Sequence, residues 1–337
     1  MQHELVRQTI NIAVSKALKD MQTNTKRTIR NMIDLGLLFS RSDTQKWFFN
    51  AAKQVITTPE NPYNSLISRM VSDIDHETIK TFSINLGYSS LIYGANKLKN
   101  MQNAMNLKLP WFLLFDMSSD TGFGDIIFEI PRWIYQGREL GIYSFGFSSC
   151  SEKNLPLLCE IIKQFKGCAF ILETKPGLIT SQNAAYFNEI HNAVIVVDIG
   201  DLELNSSECT NAFIHLRQNH CLYGCSSKCS DSNFDLVTSP QNITKTIEQG
   251  NTFYIFRSGT QLSSVNKELL YKFVCRERSS RGQPLICFDW FKDTAFISEK
   301  LLSKGGCMTL PSARQASYKL QNKNTFTGTS LLEIIRM

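Results

Sequence analysis

The chain lacks a run of eighteen apolar residues, so no membrane-spanning helix is expected. Its opening residues, MQHELVRQTINIAVSKALKD, are too polar to form the apolar core of a secretory leader. Lys and Arg form no block, and the net charge of +6 is small for 337 residues. A nucleic-acid partner, which calls for clustered cations on one face, is therefore not expected. Neither a Gly-x-Ser-x-Gly elbow nor a His-Glu-x-x-His helix occurs, which removes two common hydrolytic sites. There is no internal repeat and no low-complexity tract.

The residues that are present describe an ordinary globular protein, with 42% apolar and 20% charged residues. That composition fits neither disorder nor a fibre. The length allows one large α/β domain with an appendage, or two domains. Ten cysteines without a leader predict reduced thiols in a cytoplasmic protein, most of them acting as small buried apolar groups.

Hydrophobic periodicity divides the chain into three parts. Residues 1–108 carry helical spacing: Trp47, Phe48, Ala51 and Val55 fall near one face, as do Leu66, Ile67, Met70 and Val71 after a Pro/Asn break. The polar stretch Lys97–Lys108 reads as the link to the second part. Residues 109–258 alternate short apolar runs with amphipathic segments. Strands are predicted at Trp111–Asp116, Ile142–Phe147, 168–174, 193–200, His220–Gly224 and Thr252–Phe256. The runs CAFILET and AVIVVDIG are the near-continuous apolar kind that suits parallel strands covered on both faces. Residues 259–337 read as a C-terminal extension with a helix at Lys267–Arg278, a strand at 284–289 and an irregular tail. The fold class is thus α/β, as a partial (β/α)6 TIM-like barrel with an N-terminal helical appendage; a doubly wound sheet is the alternative.

The turn after the first strand, FDMSSDTGFGDII (115–127), invites comparison with phosphate-binding loops. It has no Gly-Lys-Ser/Thr ending, and Ile127 stands where the dinucleotide fingerprint needs its third glycine. A Gly-x-Gly turn by itself is a backbone feature.

Several segments together resemble the radical S-adenosylmethionine (SAM) enzymes of bacteria. These are NPYNSLISRMVSDIDHETIKTF (61–82), LPWFLLFDMSS (109–119), QGRELGIYSFGF (136–147), LCEIIKQFKGCAFILETKPGLI (158–179), ICFDWFKDTAFISE (286–299), GGC (305–307) and SLLEII (330–335). The resemblance covers about residues 55–337. It implies a radical SAM barrel whose first strand is followed by C-x-x-x-C-x-x-C, three thiolates holding a [4Fe–4S] cluster that binds S-adenosylmethionine. In this chain those positions fall on Thr121, Asp125 and Phe128, which cannot hold a cluster together. The Gly-Gly-Glu-Pro element after the second strand is replaced by Ser149, Cys150 and Ser151, with Glu152 one residue late. The fourth strand lacks the family's Arg-Arg-Gly loop, and Phe326 stands near the place of an auxiliary cysteine. The implied reading is a homologue that has lost cluster and cofactor sites. It would act without catalysis as a binding, scaffold or regulatory protein, with an active radical SAM relative or that relative's peptide or protein substrate as partner, and no cofactor of its own.

Two alternatives remain open. HCLYGCSSKC brings His220, Cys221, Cys225 and Cys229 within ten residues, and the three cysteines could hold a non-standard iron–sulfur site serving S-adenosylmethionine chemistry. On one extended strand, however, residues four apart stand roughly 13 Å from each other. The second alternative takes Asp116 and Asp198, at the ends of two strands on the ligand-binding side of a barrel, as carboxylates for acid/base work on an unknown small molecule.

Overall fold

Strand alternation and chain order together build one curled sheet. A computed structural model describes residues 2–40, 43–58, 61–118, 127–200, 204–279, 282–301, 303–310, 326 and 328–337. Its strands are β1 Phe112–Asp116, β2 Ser144–Ser148, β3 Ala169–Thr174, β4 Ala193–Asp198, β5 Tyr223–Cys229, β6 Phe253–Ser258, β7 Ile286–Asp289 and β8 Cys307–Leu310. All pair in parallel, in the order β7-β6-β5-β4-β3-β2-β1-β8. Strands β1 to β7 lie side by side in chain order. Every crossover therefore runs the same way round, and the sheet curls as a TIM-like half-barrel. Among the described residues β7 and β8 share no ladder.

The expected six-stranded barrel is corrected to eight strands. The segment 284–289 joins the sheet as β7, and the tail read as irregular supplies β8. Four residues, CMTL, are too short to show a period, and only pairing with β1 makes them a strand. β5 starts at Tyr223 because His220 ends the preceding helix in the left-handed region, at φ 52°, and an extended strand cannot pass through it.

Period two sends Phe112, Leu114 and Asp116 of β1 into the barrel, with Ala169, Ile171 and Glu173 of β3 and Phe253, Ile255 and Arg257 of β6 on the same inner face. The opposite face meets helices. Phe115, Phe145, Phe147 and Phe170 form a ladder of rings with centroids 5.6 to 6.5 Å apart. Trp133 of helix α6 (Ile130–Leu140), fully buried, closes that ladder. Helices α7 (Leu155–Gln164), α8 (Ser181–Asn188), α9 (Ser207–Gln218), α10 (Phe234–Val237), α11 (Pro240–Glu248) and α12 (Ser264–Glu277) follow between the strands. Ser and Thr residues start several of them: Thr180, Ser206, Ser239 and Ser263 each accept a backbone N–H three residues on.

Close approach fixes one glycine. A Cβ on Gly224 of β5 would lie 2.4 Å from the Phe253 carbonyl oxygen. Gly224→Ala is expected to destabilise the chain by about 1–3 kcal/mol through overpacking, seen as a lower urea midpoint. An unchanged midpoint would show that β5 and β6 can separate freely.

The N-terminal part is helical as expected: α1 Gln2–Phe39, α2 Asp43–Thr57, α3 Pro62–Asp73, α4 His76–Ile84, a π-helical segment Asn85–Gly94, and α5 Ala95–Met105. Asp75 caps α4, its Oδ1 accepting from the Thr78 N–H at 2.9 Å. The π segment docks on the lower end of the barrel, where Ser144 Oγ donates to Ser90 Oγ at 2.6 Å and the buried Asn85 Nδ2 donates to the carbonyls of Lys166 and Cys168. The stretch read as a polar link, Lys97–Lys108, is largely α5. Its Leu98 and Gln102 are buried, and Gln102 Oε1 accepts from the N–H groups of Leu109 and Lys304.

The seam between β7 and β8 is filled by α13 (Trp290–Leu301), which starts directly after β7. Asp289 accepts the N–H groups of Phe291 and Lys292, while buried Asp293 accepts the Asp289 N–H and pairs with Arg278 at 2.9 Å. A last helix, α14 (Leu331–Arg336), carries a capping box at Ser330 and Glu333 and packs on α6. Among the described residues no helix is long and apolar enough to cross a membrane.

Candidate functional site

The C-terminal ends of the strands open into a cleft of about 1120 Å³. In barrels of this kind this is the face that carries ligands, because the strand ends and the following loops converge there. Its lining comes from the last inward positions of the strands: Asp116 of β1, Ser148 of β2, Glu173 of β3, Asp198 of β4, Arg257 of β6 and Thr309 of β8.

Glu173 lies at the floor and is only 4% exposed. Its Oε1 accepts from Ser226 Oγ at 2.8 Å and from the Arg257 guanidinium at 2.7 Å. Burial pushes its carboxyl above the ordinary carboxylate range; Arg257 and Ser226 pull it back, and the charge of Asp198 adds to the rise. The Arg257 guanidinium lies over the ring of Trp290, 5.3 Å from its centroid, and its buried Nε has no partner among the described residues.

Asp198 accepts from Lys175 Nζ at 2.6 Å and from the Gly200 N–H at 3.1 Å. Asp116 is held in an Asx-type turn by the N–H and hydroxyl of Ser118. The two aspartates picked out from the sequence thus both line the mouth. Glu173 and Arg257 were not picked out, although a signal existed: each is a charged residue at the inward period of an otherwise apolar strand, in register with Ile171 and Ile255.

Of the positions aligned with the cluster motif, Thr121 and Asp125 lie outside the described residues. Phe128 is exposed at the rim. Ser149, Cys150 and Ser151 follow β2 and also border the cleft. Ser149 takes a left-handed backbone at φ 56°, and the Cys150 thiol is buried and pushed well above its usual range.

Cys221, Cys225 and Cys229 do not converge on a common point. Cys225 and Cys229 lie on β5, four residues apart and so roughly 13 Å from each other. Cys221 precedes the strand, its Sγ against the Ala184 and Asn219 carbonyls. Burial raises all three thiols, to about 12 for Cys221 and Cys229 and well above the usual value for Cys225. Among the described residues no group of three His, Cys, Asp or Glu is placed to hold a metal ion. An iron–sulfur cluster needs converging thiolates, so these residues do not fit one. His220 stands at the opposite end of the barrel with His76 and Asp75, beside a second cleft of about 780 Å³. There its Nδ1 meets the Asp73 carbonyl and ties α3 to the barrel.

No protein-family model matches the chain, and no curated protein matches it either. Solved structures do resemble it. The tryptophan synthase alpha chain of Legionella pneumophila subsp. pneumophila gives a TM-score of 0.41 at 11% identity, over 72% of this chain and 95% of that one. A phosphonopyruvate hydrolase, solved with oxalate and Mg²⁺, gives 0.37 at 12% identity over 73% and 94%. A 2,3-dimethylmalate lyase of the PEP mutase/isocitrate lyase superfamily gives 0.38 at 8% identity over 72% and 95%. Likeness at this level says nothing about chemistry.

The resemblance to radical SAM enzymes is therefore corrected. No family model supports it, the sheet has eight strands, and among the described residues no cysteines converge as a cluster would require. Short apolar strands followed by Gly- and Ser-bearing turns recur in many barrels, and matches spread over such segments carried the resemblance. The non-catalytic radical-enzyme homologue and the variant cluster enzyme both fall with it.

Proposed function

We propose that the barrel mouth is the active centre of an enzyme doing acid/base chemistry on a small polar molecule, with Glu173 as the group that carries the proton. The observation behind this reading is a nearly buried carboxyl at the floor of a large cleft, raised by burial and paired with one guanidinium. Groups tuned in this way are suited to move a proton near neutral pH. Arg257 holds Glu173 in place and adjusts its proton affinity, Ser226 orients the same oxygen, and Asp116 and Asp198 flank the space in which a substrate would sit.

A library of small carboxylates, phosphates and neutral polyols provides the test, read first by thermal shift and then by NMR for conversion. A compound that stabilises the wild-type chain should be converted by it and left intact by Glu173→Gln. Stabilising compounds that act equally on Arg257→Met and Asp198→Asn would place binding elsewhere and overturn the reading.

A further inference from the structure

Beneath the mouth lies a second space of about 210 Å³, partly open, whose exposed wall is entirely apolar. Phe112, Ile171, Val196, Ile255 and Phe288 line it from five strands, one inward position below the charged layer or further down. Its floor is Phe82 of α4 with Leu86 and Leu91 of the π segment, and its side is Trp290 and Ile297 of α13. Two hydroxyls and the Cys307 thiol, which bonds to Thr294, touch it, but none exposes a polar atom to it. Ser144 Oγ is spent on Ser90, and Thr294 Oγ1 bonds back to the Trp290 carbonyl.

This space is unusual for the architecture. A closed eight-stranded barrel fills its interior with layers of side chains. Here α13 stands in the seam between β7 and β8, so the wall is wider than a closed ring of strands would make it. An apolar void of about 150 Å³ stays dry and takes up benzene. A charged or hydrogen-bonding group would find no partner on this wall and would lose its hydration.

We propose that this chamber is a binding site for a neutral apolar group about the size of an aromatic ring. Nothing in the inference depends on proton transfer at the mouth. The stacked pair Arg257 and Trp290 separates the two spaces, with Arg257 lining the mouth and Trp290 lining the chamber.

The test uses the full chain and benzene as probe. In the wild-type protein benzene should shift the δ-methyl resonances of Ile171 and Ile255 while leaving that of Ile134, in the outer helical layer, in place. It should also raise Tm in a saturable way, as a ligand of the folded state does. Val196→Phe and Ala169→Leu fill the chamber from different strands, and either variant that unfolds cooperatively should bind benzene at least about tenfold more weakly. Phenol, whose hydroxyl finds no partner inside, should bind more weakly than benzene. Absence of methyl shifts at Ile171 and Ile255, or undiminished binding in a folded filled variant, would overturn the proposal. Because binding is read without turnover, such a failure leaves the acid/base reading of the mouth untouched, and the reverse also holds.

Discussion

Arg257→Met is expected to lower the unfolding free energy at pH 7.5 by about 2–3 kcal/mol, somewhat less than the loss typical of a fully buried pair because Arg257 keeps some solvent contact. The side chains are 26% and 5% exposed for Arg257 and Glu173, so removing the guanidinium strands a carboxylate that water reaches poorly. The effect has a signed pH dependence. Burial raises the Glu173 pKa in the folded chain, so proton uptake there favours folding. That contribution is complete below the ordinary carboxylate range and is lost as pH rises through the raised folded value. Without Arg257 the folded value rises further. The penalty of the variant should therefore be largest at neutral and alkaline pH and shrink as pH falls toward 5. The double variant Arg257→Met/Glu173→Leu removes both charges and should recover most of the loss. Urea unfolding at two pH values decides the matter: a penalty independent of pH would mean that Glu173 is not the group left stranded.

Glu173→Gln should have the opposite profile, with little loss of stability and a large loss of activity. Gln keeps the shape and an acceptor for Ser226 and Arg257, so the unfolding free energy should change by no more than about 1 kcal/mol. Turnover of the compound identified by the ligand screen should fall by about 10²–10⁴-fold, the usual worth of a positioned proton carrier. The fall should lie in kcat with KM little changed. In the wild-type pH–rate profile one limb should lie above the ordinary carboxylate range, and it should vanish in the variant. A merely structural Glu173 would move Tm and leave that limb in place.

The elements of the barrel were legible wherever an apolar run was long enough to show a period. AVIVVD and AFILET read as buried parallel strands and are β4 and β3. Helix spacing at Leu155, Leu158, Cys159 and Ile162 reads as α7, and those four side chains are buried. Legibility ended where a residue's state depends on a distant partner. β8 has four residues and exists because β1 offers a free edge. The stretch 97–108 looks like a linker by composition, yet Gln102 ties it to Leu109 and Lys304. Position 220 looks like the start of a strand until the left-handed turn of His220 is seen.

The candidate site followed the same division. Asp116 and Asp198 could be placed at a ligand-facing rim from strand ends alone. The period of β3 puts Glu173 on the same inward face, but its pairing could not be read, because what distinguishes it is lateral. Ser226 and Arg257 lie 53 and 84 residues further along the chain, yet they meet its carboxyl across β4, β5 and β6.

By itself the sequence determined the α/β class, the helical N-terminal part and most strand positions, because these depend on local periodicity that a single segment carries. The tertiary structure decided the count of eight strands, the failure of three nearby cysteines to meet, the pairing of Glu173 with Arg257 and the apolar chamber beneath them. Each of these depends on how far apart two strands stand and which way their side chains face, and in a parallel sheet that is set by residues far away in the chain.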